Sequence, residues 1–174
     1  MKIKQQTVFN QDAKACVTIL VNAFPERFGK TAAREMILSF IRGENLLYVA
    51  IDQDEIIGFA GALKRQYSTA YELHMMVIKP AHRFRGVGTR LLDILEDKLR
   101  ARKVLTMFLG SDDEGCKTSL SQTNLYENTL DKLATIEAIG HPFLFYQKQG
   151  YKVVGVLPDA HGEGRPDILM AKRL

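Results

Sequence analysis

The chain has 174 residues, 46% of them hydrophobic and 25% charged, with a formal net charge of +4. That length suits one domain whose core needs neither disulfides nor a structural metal. No apolar run reaches the length of a membrane span, the two cysteines and four scattered histidines form no zinc pattern, and Met1–Gln6 lacks the apolar core of a signal peptide, so a reducing cytoplasm is the expected compartment.

In chain order, Ile3 to Phe9 reads as an opening strand. Ala13, Cys16, Leu20 and Phe24 recur at helical spacing, and Met36, Ile37, Phe40 and Ile41 mark a second helix. Leu46 to Ile51 and Ile56 to Leu63 are apolar strand runs joined by a hairpin at Asp52-Gln53-Asp54-Glu55, and Tyr71 to Ile78 is the next strand. A helix from Gly86 to about Arg102 carries Val87, Leu91, Leu95 and Leu99 along one face. Val104 to Leu109, Tyr151 to Leu157 and Pro166 to Lys172 read as the remaining strands, and a further helix ends at Gly150, which suits a left-handed cap. The order predicts a single α/β domain over residues 1–174, a mixed sheet flanked by helices.

The most informative stretch runs from Val77 to Leu92. An apolar strand ends at Pro80, a basic turn follows, and Arg83-Phe84-Arg85-Gly86-Val87-Gly88 opens a helix at Thr89-Arg90. Glycines let a ligand approach the backbone, and the first N–H groups of a helix lack intrahelical partners and carry partial positive charge. With Arg83, Arg85 and Arg90 around it, this is a cradle for pyrophosphate. The alternative is a basic turn with glycines for packing alone. Gly88 is not followed by Lys-Ser/Thr, as a Walker loop requires, and the third glycine of a dinucleotide fingerprint is missing. The pattern Arg-x-x-Gly-x-Gly after a strand resembles the acyl-CoA loop of the GCN5-related N-acetyltransferases (GNAT), and the element order is similar to theirs nearly end to end. The resemblance implies the acyl-CoA N-acyltransferase fold, with a central, mostly antiparallel sheet, and acetyl-CoA as cofactor. It would be held by the amides of Arg85 to Thr89, by Arg83 and Arg90, and beside Met76 and Val77.

Further motifs extend the likeness. Phe145-Tyr146-Gln147-Lys148-Gln149-Gly150-Tyr151 is similar to the family's Leu-Tyr-x-x-x-Gly-Phe, which would put Tyr146 near the CoA sulfur as the acid for the departing thiolate. Otherwise Tyr146 is a core aromatic with a satisfied hydroxyl. On the strand from Tyr71 to Ile78, alternation places Glu72, His74 and Met76 on one face and Leu73, Met75 and Val77 on the other. Two ionisable groups on one strand face call for a cleft. Glu72, alone or through water with His74 assisting, is the natural base, although it could equally anchor the substrate ammonium, and His74 could be structural. The family's oxyanion donor is a strand amide at a bulge, which the likeness carries to Met75 or Met76. Cys16 and Cys116 have no adjacent histidine, so direct attack in a ternary complex is expected.

Charge distribution bears on the acceptor. Lys79 to Lys103 is basic, whereas Ser111 to Glu137 is acidic, a juxtaposition that suits an anionic cofactor and a cationic substrate better than nucleic acid. Asp112, Asp113 and Glu114, followed by Thr118, Ser119 and Ser121, suit a polycationic, hydroxyl-rich ligand, or else form a solvated acidic turn. This stretch, with Tyr71-Glu72-Leu73-His74 before it and 155–168 after it, resembles one group of aminoglycoside 6′-N-acetyltransferases. In the N-terminal part, where the likeness is less distinctive, Glu26 is a further candidate ammonium contact; the residues point to no metal and no nucleic-acid or membrane partner, and the resemblance implies a homodimer. Another amine acceptor (a polyamine, a metabolite or a protein N-terminus) and an acyl-CoA-binding module without catalysis remain the alternatives.

Overall fold

Gln53 and Asp54 adopt left-handed φ values of 46° and 62° and close a hairpin between strands β2 (Leu46–Asp52) and β3 (Glu55–Lys64). Positive φ at both central positions marks the type I′ turn, whose twist matches that of paired strands. The computed structural model describes residues 1–174, which form two compact units, Met1–Leu105 with Leu174, and Thr106–Arg173.

In the first unit, β1 (Lys2–Gln6), β2, β3 and β4 (Ala70–Ile78) pair antiparallel in that order. Helices α1 (Gln11–Ala23) and α2 (Lys30–Ile41) cover one face, where Cys16, Leu20, Ile37 and Phe40 join Leu47, Val49, Phe59 and Val77 in a single core. Helix α3 (Val87–Ala101) packs on β2, β3 and β4 through Leu91, Leu92, Leu95 and Leu99, all fully buried. Burial on both faces explains why β2 and β3 read as continuous apolar runs rather than alternating ones. The first strand is shorter than its sequence suggested, because Asn10 caps α1 by accepting the Ala13 N–H at 3.1 Å.

One irregularity matters for chemistry. Gly61 pairs with Met75 and Ala62 with Leu73, so His74 is the extra residue of a β-bulge. Strict alternation along β4 therefore fails. The His74 ring lies 6.2 Å from that of Phe40, in the core cluster that Met75 also packs against. Successive residues His74 and Met75 thus face the same side, which corrects the separation expected from alternation. A bulge re-aims a side chain in this way.

In the second unit, β7 (Asp167–Arg173) lies between β5 (Thr106–Asp112) and β6 (Lys152–Leu157), antiparallel to both. The segment between β5 and β6 carries two short helices, α4 (Thr129–Ala134) and α5 (Phe143–Lys148). Helix α4 was not expected from sequence. Gly150, at φ 89°, follows the end of α5 in the left-handed conformation that was expected.

Candidate active site

At the end of β4 the chain turns through a single 3-10 turn, Pro80–His82, into the basic loop. Arg83 donates from Nε to the Ile78 carbonyl at 3.0 Å and so ties the loop to the strand it leaves. Gly86, at φ 77°, precedes α3, where nothing lies within 4 Å of the place a Cβ would take. Buried Val87 anchors the first turn, and the first backbone bond of the helix runs from the Arg90 N–H to the Gly86 carbonyl. The amides of Val87, Gly88 and Thr89 therefore have no intrahelical acceptor. Arg83, Arg85 and Arg90, all exposed, flank them in the chain. Open space before a glycine, three unclaimed N–H groups, a helix dipole and three cations fit a pyrophosphate.

Along β4, Glu72 is engaged at both carboxylate oxygens. Oε1 lies 2.6 Å from His74 Nδ1, and Oε2 accepts from Arg65 Nε. Arg65 Nη2 also comes within 3.4 Å of His74 Nδ1, which closes a three-membered cluster. Burial would raise the Glu72 pKa, but the bonds from His74 and Arg65 outweigh it and draw the value from 4.5 to about 2. A carboxylate so held is a fixed negative charge and a weak base. Of the proposed oxyanion donors, Met75 adjoins the bulge, and Met76 pairs with Ala60 in regular register. Glu26 is exposed in the connection between α1 and α2.

In the second unit, Tyr146 on α5 packs edge-on against Phe145 and Tyr151 at ring separations of 5.1 and 5.9 Å. Burial, and secondarily the charge of Asp112, pushes its phenol above the ordinary value, so it keeps its proton.

The three acidic residues have different places. Asp113 is fully buried and accepts from the Lys117 and Thr118 amides and from the Thr118 and Ser121 hydroxyls. It is the organiser of loop 113–121. This corrects its assignment as a substrate contact, because four internal donors already use its lone pairs. Asp112 and Glu114 instead flank His161, Asp112 at 3.8 Å from Nε2 and Glu114 at 3.6 Å from Nδ1. Carboxylates on opposite ring nitrogens suit an imidazole between two acids better than one metal ion held by all three.

Sequence reasoning missed three residues: Arg65, His161 and His141. Arg65 lies in the β3–β4 connection with no motif around it, and only the general expectation that a part-buried carboxylate finds a cation could have pointed to it. Cys16 is buried and its thiol pushed up to about 12, by burial first and Asp12 second, so it is no nucleophile.

Comparison with known proteins adds to this geometry. Residues 13–128 match the Acetyltransferase (GNAT) family. An aminoglycoside 6′-N-acetyltransferase solved in complex with coenzyme A is 40% identical, with a TM-score of 0.94 over 99% of this chain and 97% of that one. The aminoglycoside 6′-N-acetyltransferase of Enterococcus faecium gives 40% and 0.92 over the same shares. An aminoglycoside 6′-acetyltransferase type Ii gives 32% and 0.78, again over 99% and 97%. Curated protein sequences provide no significant match.

Proposed function

The chain belongs to the GNAT family of acetyltransferases, and we propose that it transfers acetyl from acetyl-CoA to the 6′-amine of an aminoglycoside. The observation that carries this reading is the 40% identity, over nearly the whole of both chains, to an aminoglycoside 6′-N-acetyltransferase complexed with coenzyme A. A fold alone would not name the acceptor. Likeness at that level, with the cradle, the Glu72–His74 pair and the acidic loop in place, supports it.

Acetyl-CoA brings an activated thioester. The amides of Arg85 to Thr89 bind its pyrophosphate, with Arg83 and Arg90 adding charge, and Met76 and Val77 border the arm that leads away. Glu72 is the counter-charge for the acceptor's ammonium. It also fixes the His74 ring: with Nδ1 bonded to Glu72, Nε2 is left to take the proton that the ammonium must lose. This assignment replaces direct proton transfer to Glu72, because a carboxylate with a pKa of about 2 accepts a proton poorly. As the N–C bond forms and the C–S bond breaks, an amide of the Met75–Met76 stretch stabilises the oxyanion. The protonated Tyr146 hydroxyl donates to the sulfur leaving as thiolate. Asp112 and Glu114, with Glu26, attract the remaining ammonium groups of a polycation.

Thiol release from acetyl-CoA tests the reading, measured with aminoglycosides that carry a 6′-amine, with others that carry a 6′-hydroxyl, and with spermidine and a peptide amine. Turnover confined to 6′-amines is the expected result. Turnover confined to spermidine or the peptide would reassign the acceptor and leave the cradle standing.

A further inference from the structure

Glu72 already holds a cation. Its carboxylate has His74 on one oxygen and Arg65 on the other, so an acceptor ammonium reaching for it must displace one of the two. His74 is the less able to leave. It is built into the bulge of β4, its ring meets that of Phe40, and its side chain is 29% exposed. Arg65 lies in the connection between β3 and β4, is 40% exposed, and makes its side-chain contacts only to Glu72 and His74.

We propose that Arg65 is an internal stand-in for the acceptor ammonium, which pairs with Glu72 in the free enzyme and swings into solvent when the amine arrives. The proposal rests on the reading that Glu72 receives the acceptor amine. Electrostatics requires such an exchange. Arg65 already matches the charge of the ionised Glu72, and an ammonium added without its departure would leave one cation unmatched. Arg65 also has an inexpensive exit. The Arg65 side chain is two-fifths exposed, so part of its hydration is already in place, and a pair open to solvent on one side holds less firmly than a buried one. While paired, it helps His74 to hold the carboxylate ionised, and the carboxylate keeps the His74 ring aligned. Arg65 is thus a specificity-determining and positioning residue: only an acceptor cation that outbids a guanidinium opens the site.

Arg65→Gln tests this, with Arg65→Lys as the conservative variant. Wild type and variants are compared in steady-state kinetics with a 6′-amino aminoglycoside, and the Arg65 Nε–H resonance of wild type is followed by NMR during titration with the same compound. Removal of the competitor should lower the acceptor KM roughly two- to fivefold, the range set by exposed ion pairs, with the KM for acetyl-CoA unchanged. Arg65→Lys should fall between wild type and Arg65→Gln. The Nε–H resonance should move from a hydrogen-bonded to a solvent-exposed position as the acceptor saturates. Wild-type turnover with an acceptor KM unchanged or raised in Arg65→Gln, or an Nε–H resonance that does not move, would overturn the proposal and leave the acceptor reading intact. No turnover of any aminoglycoside by wild type would overturn the acceptor reading, and this proposal with it.

Discussion

Glu72→Gln separates the two roles a carboxylate can have beside a reacting amine. With its pKa drawn to about 2, Glu72 stays ionised through any practical assay range, so loss of its charge should cost activity evenly from pH 5 to 8. The expected loss is roughly 10- to 100-fold in kcat/KM, the worth of a hydrogen bond to a charged group. A deficit that grows toward low pH would instead mark Glu72 as the titrating base. The acidic loop offers a second contrast. Asp113→Asn should destabilise the fold by about 2–3 kcal/mol, because four donors lose a charged acceptor, and urea denaturation reads this directly. Glu114→Gln, at an exposed carboxylate, should leave stability unchanged and raise the acceptor KM. Adjacent acids of the same chemical type thus differ in role through burial alone, which a run of acidic letters does not display.

Among the elements, the β3–β4 pair links packing to chemistry. A Cβ on Gly61 would lie 2.5–2.6 Å from atoms of the Phe40 ring, and Gly61 pairs with Met75 next to the bulge. Gly61→Ala should therefore cost about 1–3 kcal/mol through overpacking. It should also lower kcat/KM by moving the ring on which His74 rests, with the affinity for CoA kept. Normal activity in the folded variant would show that Phe40 does not position His74. The same pair marks where sequence reading works and where it stops. Apolar runs, hairpin residues and glycine caps have local signatures, so β2, β3, β4, α3 and the glycine-bearing turn before it were legible close to their observed limits. The bulge at His74 has none, because it arises from register between two strands, and alternation misassigned Met75 for that reason. Arg65 and His161 were hidden for a related reason. Each is defined by a partner that the fold brings near, seven positions away in one case and about fifty in the other.

For the molecule as a whole, pH should act on stability mainly through its buried and half-buried titrating groups. His141 is held neutral by its geometry: Nδ1 accepts the Phe143 N–H at 3.2 Å, and Nε2 lies 3.1 Å from the Asp112 carbonyl, to which it donates. Burial, the largest cause, keeps its pKa below 6.5. The unfolded chain protonates this ring near 6.5, so its contribution is full above that pH and is lost as pH falls through the lower folded-state value. Glu72 and Asp113, also depressed, add their losses only below 4.5 and 3.8, the values from which they are lowered. Tyr146 has the opposite sign. Its raised pKa gives stability that is full below about 10 and lost as pH rises further. Cys16, buried and likewise raised, gives stability that is full below about 9 and lost above it. Thermal unfolding should therefore show a plateau from about pH 6.5 to 9, with the first acid loss preceding carboxylate titration. His141→Gln identifies the source of that first loss. The variant should melt lower at pH 7.5, because a buried ring that packs against Phe143 is gone, yet its Tm should change less than that of wild type between pH 7.5 and 5. An equal Tm drop in both proteins would clear His141 and place the acid-sensitive group elsewhere in the fold.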